Sequence, residues 1–283
     1  MLIVLDKSGS MNESVGTQTK WQAATGALRS VTSQYGAQIR FGLWQFSSPT
    51  QCDPGAQAVA VGDNTAQAIA TAMPATANGN GTPIGAALER ARVVPELNDP
   101  ARANFIVLVT DGKENCNGDG QAAVTSAFGA NIKTYVVGFG PQADVDPTLL
   151  SNMAVAGGTA RNVTPRYYQA DNPQELNAAF SAIAQGAIGC DYKLAQAPPD
   201  PKKLYVSVNG TIVPNDPSKV AGWNYDPATN RLTLYGPACD LVTQNSAAKV
   251  NIVYGCPDTT LLEDPGAKRD GGINWNWDGG WIN

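Results

Sequence analysis

Phe105-Ile106-Val107-Leu108-Val109-Thr110-Asp111-Gly112 stays apolar without alternation and then turns polar. A strand with one wet face would alternate. A run apolar on both faces suits a central parallel strand covered by helices on either side. Around it, from residue 1 to about 188, short apolar runs alternate with helix-length segments. Strands are predicted at 2–5, 39–46, 56–61, 105–110, 133–138 and 167–169. Helices are predicted at 21–34, 65–73, 83–94, 121–130, 147–156 and 173–188. Thr82-Pro83, Asp146-Pro147 and Asn172-Pro173 each read as an N-cap followed by proline at the first helical position. Strands alternating with helices make residues 1–188 an α/β domain with a mostly parallel, doubly wound sheet.

After Ile188 the pattern changes. Residues 189–257 show no helical periodicity and are expected to form a small all-β domain, with strands at 204–208, 211–213, 222–225, 231–235 and 249–254. Asn209-Gly210 between two of them is a type I′ hairpin signal, because both turn positions need positive φ. A linker over 195–203, with Pro198, Pro199 and Pro201, should be stiff and extended. Residues 258–283 form an Asp-, Gly- and Trp-rich tail with no assigned fold. Its Asp258, Asp264, Asp270 and Asp278 fit no calcium-loop spacing and are read as solvated. Trp275, Trp277 and Trp281 are read as packing residues rather than sugar platforms.

Composition narrows the function. The 283 residues carry a net charge of −5, and nothing basic is clustered, which argues against nucleic acid. There is no histidine, which removes Ser–His–Asp and Cys–His catalysis and the common zinc sites. Charged residues make up 15% against about 25% in an average protein. The polar surface is therefore Asn, Gln, Ser, Thr and Gly, a pattern common in secreted chains. Cys52, Cys116, Cys190, Cys239 and Cys256 contain no C-x-x-C pair, so disulfides in an oxidising compartment are the better reading. Cys52 and Cys116 both fall in loops leaving the carboxyl end of the sheet and are expected to pair, pinning the Asp111 loop. Cys239 with Cys256 is the favoured second pair, leaving Cys190 odd. No run approaches a membrane span. Leu2-Ile3-Val4-Leu5 is too short for a signal-peptide core, so the chain is expected to begin after a removed or missing leader.

Three hydroxyl and carboxylate clusters then stand out. Asp6-Lys7-Ser8-Gly9-Ser10 follows the first strand, Thr82 follows Asn78-Gly79-Asn80-Gly81, and Asp111 follows the central strand. In open α/β sheets, ligands bind beyond the carboxyl ends of strands where strand order reverses. If strands 2–5 and 105–110 are neighbours there, Asp6, Ser8, Ser10, Thr82 and Asp111 converge. Two carboxylates and three hydroxyls form an all-oxygen set suited to a hard divalent cation. Mg²⁺ is the first choice, with Mn²⁺ or Ca²⁺ possible. Each fragment alone is explained by turn or helix capping; together they are not.

Asp6-x-Ser8-x-Ser10, Thr82 and Thr110-Asp111-Gly112 resemble the metal-ion-dependent adhesion site of the von Willebrand factor A domain family. The resemblance extends to about residue 188 through Tyr135-Val136-Val137-Gly138-Phe139-Gly140, Leu149 to Thr159, and Tyr167-Tyr168-Gln169-Ala170. It implies a six-stranded sheet ordered 3-2-1-4-5-6 with one antiparallel edge strand. It also implies direct metal contact from the serines and the threonine, with the aspartates acting through water or as outer ligands. The module after Cys190, with Gly222-Trp223 and Gly255-Cys256-Pro257, is similar to small β domains appended in secreted bacterial proteins.

The expected function is binding rather than catalysis. A secreted or surface-exposed module would hold an acidic group of a protein or glycan through the cation. Two alternatives remain open: an intracellular adaptor of a chaperone-like ATPase, and a scaffold whose metal only stiffens the top loops.

Overall fold

The computed structural model describes all residues except 101, 195, 246, 247 and 256–283. It divides into two units, one spanning Met1–Ala187 and one from Ile188 onward. In chain order the first unit contains β1 (Leu2–Asp6), β2 (Ser14–Val15), β3 (Gln18–Thr19), α1 (Lys20–Tyr35), β4 (Phe41–Phe46), β5 (Ala56–Gly62), α2 (Ala66–Ala72) and α3 (Ile84–Ala91). It continues with β6 (Asn104–Thr110), α4 (Gly120–Gly129), β7 (Ile132–Phe139), α5 (Pro147–Ala156), β8 (Tyr168–Ala170) and α6 (Pro173–Ile188).

β1 is buried at every position, which an apolar strand achieves only with sheet neighbours on both edges and helices on both faces. Its neighbours are β4 and β6, both parallel to it. The main sheet runs β5-β4-β1-β6-β7-β8. Numbered within that sheet, the order is 3-2-1-4-5-6. The edge strand β5 is antiparallel to β4, as the family resemblance implied. Leu2, Val4, Phe46, Ile106, Leu108 and Val136 join residues of α3, α4 and α5 in a buried core on one face. On the other face Gln45 reaches the carbonyl of Ala72 at the end of α2, and Gln185 of α6 reaches the Tyr35 hydroxyl of α1. Trp21 and Trp44 are both buried, each with its indole N–H on a proline carbonyl.

The topology fixes where a ligand can sit. From β1 the chain crosses to β4 and β5, then returns to the opposite side of β1 as β6. The carboxyl ends of β1 and β6 therefore flank the reversal of strand order, where connecting loops diverge and leave a crevice.

The second unit holds β9 (Asp191–Lys193), β10 (Leu204–Val208), β11 (Thr211–Val213), β12 (Gly222–Asp226), β13 (Arg231–Tyr235), α7 (Pro237–Thr243) and β14 (Val250–Tyr254). They form two antiparallel three-stranded sheets, β11-β10-β14 and β12-β13-β9. Asn209 and Gly210, with φ of 51° and 79°, make the tight turn between β10 and β11. The all-β expectation needs one amendment, since residues 237–243 are helical. With proline in its first turn and only seven residues, α7 is too short to show a periodicity against the surrounding strands.

That helix also overturns the expected pairing of Cys239 with Cys256. Cys239 is bonded to Cys190, with Cα atoms 5.4 Å apart. β9 pairs with β13, the Leu234 amide donates to the Cys190 carbonyl, and α7 follows β13 directly. Strand pairing thus brings the two cysteines together from 49 residues apart. Cys256 lies outside the described residues, as do Asp258, Asp264, Asp270, Asp278, Trp275, Trp277 and Trp281.

Candidate metal centre

Asp6 is the last residue of β1 and Thr110 the last of β6, and the paired register of the two strands sets them side by side. The Thr110 hydroxyl donates to Asp6 Oδ2 at 2.6 Å. The Ser8 amide donates to Asp6 Oδ1 at 2.8 Å, closing a tight turn. That turn leads into a 3₁₀ turn over Gly9–Asn12, anchored by buried Met11. It sets Ser10 Oγ 3.0 Å from Ser8 Oγ and lets Ser10 donate to Asp111 Oδ1 at 2.9 Å. Three residues of the first loop are thereby tied to the end of the central strand.

Thr82 reaches the same place by another route. The Gly79 amide donates to the Lys7 carbonyl at 2.7 Å, and Gly79 bridges Ser8 as a parallel pair. Asn115 Oδ1 accepts the Thr82 amide at 2.7 Å. Thr82 does not cap α3, contrary to expectation: the capping position falls on Pro83. Thr82 is buried, and its hydroxyl lies 3.5 Å from where a Cβ on Gly112 would stand, with Ser10 Oγ 4.0 Å from that point. All five residues named from the sequence therefore converge at the carboxyl ends of β1 and β6.

Cys52 and Cys116 are bonded to one another, Cα to Cα 5.5 Å. The bond lies against Gly81: a Cβ there would fall 2.8 Å from Cys116 Sγ and 3.2 Å from Cys52 Sγ. Glu114 adds to the clamp by accepting the amides of Gly85 and Cys116. The loops after β4 and β6 thus hold the segment that delivers Thr82.

The electrostatics are unusual for a loop. Asp6 is fully buried and Asp111 is 1% exposed. Burial, followed by the charge of Asp111, pushes the Asp6 carboxyl up to about 7, against the opposing bonds from Thr110 and Ser8. Burial also raises Asp111, offset by Lys20 and Ser10. Two buried carboxylates held near each other are costly without a cation. A divalent ion fits this need, and every converging side-chain donor is oxygen. Only two of the five are carboxylates. Among the described residues no group of three His, Cys, Asp or Glu is placed to hold a metal ion, and the converging set is hydroxyl-rich.

One cation was not anticipated. Lys20 Nζ lies 3.0 Å from Asp111 Oδ2, 2.8 Å from Glu13 and 3.4 Å from Asp144. Burial works to lower the Lys20 pKa, but the bond to Glu13 and the charge of Asp111 prevail and raise it. The signal in the sequence was a lysine directly ahead of buried Trp21. Lysines beside helices are usually solvated, so that position alone gives no sign of burial. Thr19 caps α1 in a reciprocal capping box with Gln22. Asp146 caps α5, as Asp146-Pro147 suggested.

The von Willebrand factor type A domain profile matches residues 1–182. Uncharacterized protein YwmD of Bacillus subtilis (strain 168) is 33% identical over 105 residues, covering 37% of this chain and 44% of that protein. The chain thus spans less than half of that relative. Proximal thread matrix protein 1 from the mussel byssus, solved with a zinc-occupied MIDAS motif, superposes with a TM-score of 0.51 at 16% identity, over 70% of this chain and 50% of the other. The pilus adhesin SpaC from Lactobacillus rhamnosus GG, in its open conformation, gives a TM-score of 0.52 at 15% identity, over 89% of this chain and 38% of the other. At these identities the structural likeness is one of fold. Among the described residues, no helix is long and apolar enough to cross a membrane.

Proposed function

Because the chain belongs to the von Willebrand factor type A domain family, we propose that Asp6, Ser8, Ser10, Thr82 and Asp111 hold a divalent cation, Mg²⁺ before Mn²⁺ or Ca²⁺. The module then binds an acidic group of a protein or glycan partner outside the cell. The observation that carries this reading is the chain of contacts Asp6–Ser8–Ser10–Asp111, which joins the loops after β1 and β6 at the reversal of the sheet.

Ser8, Ser10 and Thr82 would offer neutral oxygens to the ion. Asp6, with one oxygen on the Ser8 amide and the other on Thr110, would fix the serine loop and neutralise from behind. Asp111 would orient Ser10. Bound there, the cation would supply a Lewis-acidic centre that accepts a carboxylate oxygen from the partner. Neutral hydroxyls leave much of the ion's charge uncancelled in a partly dry cleft, which favours such an anion. The likeness to a pilus adhesin supports a binding role outside the cell, and two disulfides support an oxidising compartment. They weigh against the intracellular adaptor. The zinc in the mussel protein makes Zn²⁺ a necessary comparison, although an oxygen-only set suits a harder ion.

Calorimetry with Mg²⁺, Mn²⁺, Ca²⁺, Zn²⁺ and EDTA tests the site. Mg²⁺ at about 100 times its Kd should stabilise the native protein by about 2.7 kcal/mol. Ser8→Ala and Asp111→Ala should lose that gain, and an equal gain in Asp111→Ala would falsify the assignment. A pull-down from extracellular material, with Mg²⁺ and with EDTA, separates binding from scaffolding. A scaffold is stabilised by the metal yet captures the same proteins in EDTA.

A further inference from the structure

Lys20 stands where general rules would not place a lysine. It is the first residue of α1, where the helix dipole disfavours positive charge. It is 2% exposed, and lysines are almost never buried unless paired. Its neighbours accommodate it closely. A Cβ on Gly140, whose φ is +109°, would fall 3.0 Å from Lys20 Cε and 3.4 Å from Nζ, so the backbone after β7 is bare where the lysine passes. The ammonium then meets carboxylates from three separate loops: Glu13 after β1, Asp111 after β6 and Asp144 after β7.

These three partners are not equivalent. The Glu13 and Asp144 side chains are 62% and 42% exposed, while Asp111 is fully enclosed. Water screens the first two pairs, so the interaction that persists at low dielectric is with Asp111. Lys20 occupies Asp111 Oδ2 and leaves Oδ1 for Ser10.

We propose that Lys20 sets the charge of the metal centre, weakening the site's hold on the cation and strengthening the loaded site's hold on an acidic ligand. This rests on the metal reading above. The buried groups Asp6, Asp111 and Lys20 carry one net negative charge when both carboxylates are ionised. A divalent ion turns that into one net positive charge. Without Lys20 the loaded site would be neutral and would give an incoming carboxylate little to meet. Lys20 therefore acts through Asp111 as a positioning and charge-determining residue.

The two effects have opposite signs, which a structural role cannot imitate. Mn²⁺ affinity is measured by calorimetry on the full chain. Acetate binding to the Mn²⁺-loaded protein is read from the fall in water-proton relaxation. Lys20→Met and Lys20→Gln should bind Mn²⁺ about tenfold or more tighter and need about tenfold or more acetate, from the loss of one nearby charge at low dielectric. Lys20→Arg, which keeps the charge, should fall close to wild type in both. Looser Mn²⁺ binding in both neutral variants, or unchanged acetate affinity, would overturn the proposal. So would failure of both to fold even in excess Mn²⁺, which would make the lysine a structural ion pair. If wild type binds no Mn²⁺ or other divalent ion, the metal reading itself falls, an outcome distinct from all of these.

Discussion

Thr110 and Gly81 show how single residues shape this site. The Thr110 hydroxyl donates to Asp6 Oδ2 at 2.6 Å, with both residues at zero exposure. Thr110→Val keeps the shape and β-branching that a strand favours but strands a buried carboxylate oxygen. It should cost about 1–3 kcal/mol, measured as a lower urea midpoint, whereas Thr110→Ser should recover most of the loss. Gly81 has φ of +79° and sits against the Cys52–Cys116 bond. Gly81→Ala combines backbone strain with a clash that must move either the sulfurs or Thr82, and should cost about 1–3 kcal/mol. Gly16→Ala is the control: its φ is +64°, but a Cβ there meets nothing within 4 Å. Only Gly81→Ala should also shrink the Mg²⁺-induced rise in melting temperature.

Among the elements, α1 and the bridged loops carry the site. α1 begins with a reciprocal capping box between Thr19 and Gln22, which sets its first turn and with it the entry direction of Lys20. Thr19→Ala should cost about 1 kcal/mol, read by thermal denaturation. The two disulfides allow a sharper comparison. Each closes a long span, 64 and 49 residues, and chain-entropy arguments assign each about 4 kcal/mol at most. Their stability effects should therefore be alike, but their effects on the metal should differ. Cys52→Ser with Cys116→Ser should diminish the Mg²⁺-induced stabilisation, because the loops delivering Thr82 are released. Cys190→Ser with Cys239→Ser should leave it unchanged. Equal loss in both pairs would mean that the bridge beside Gly81 has no special part in forming the centre.

At the level of the whole chain, the proposed metal centre draws every residue from the first unit, and both bonded cysteines of the second pair lie in the other. Each unit buries its own apolar residues. The first does so around a six-stranded sheet. The second encloses Val206, Trp223, Leu232 and Leu234 between its strands and α7. A chain ending at residue 188 should fold and keep its Mg²⁺-dependent rise in melting temperature, since no side chain of the centre is removed. Loss of that rise in a folded truncation would place a required contact beyond residue 188.

The alternation of strands with helices and the five oxygen-bearing residues were readable from the chain because both depend on local patterns, while the strand order came only from the family resemblance. A run apolar on both faces demands a doubly covered central strand, and ligand residues at strand ends are sequence neighbours of the strands that aim them. Three features were not readable. The partner of Cys239 followed from β9 pairing with β13, a contact between segments some 40 residues apart whose geometry no spacing rule encodes. The release of Thr82 from helix capping depended on where α3 begins once its first turn packs against the Glu114 loop. Lys20 looks like any lysine before a helix. Its burial and its bond to Asp111, 91 residues away, come from the folded arrangement of three loops, because a charge is drawn inside only where the assembled chain supplies its counterion.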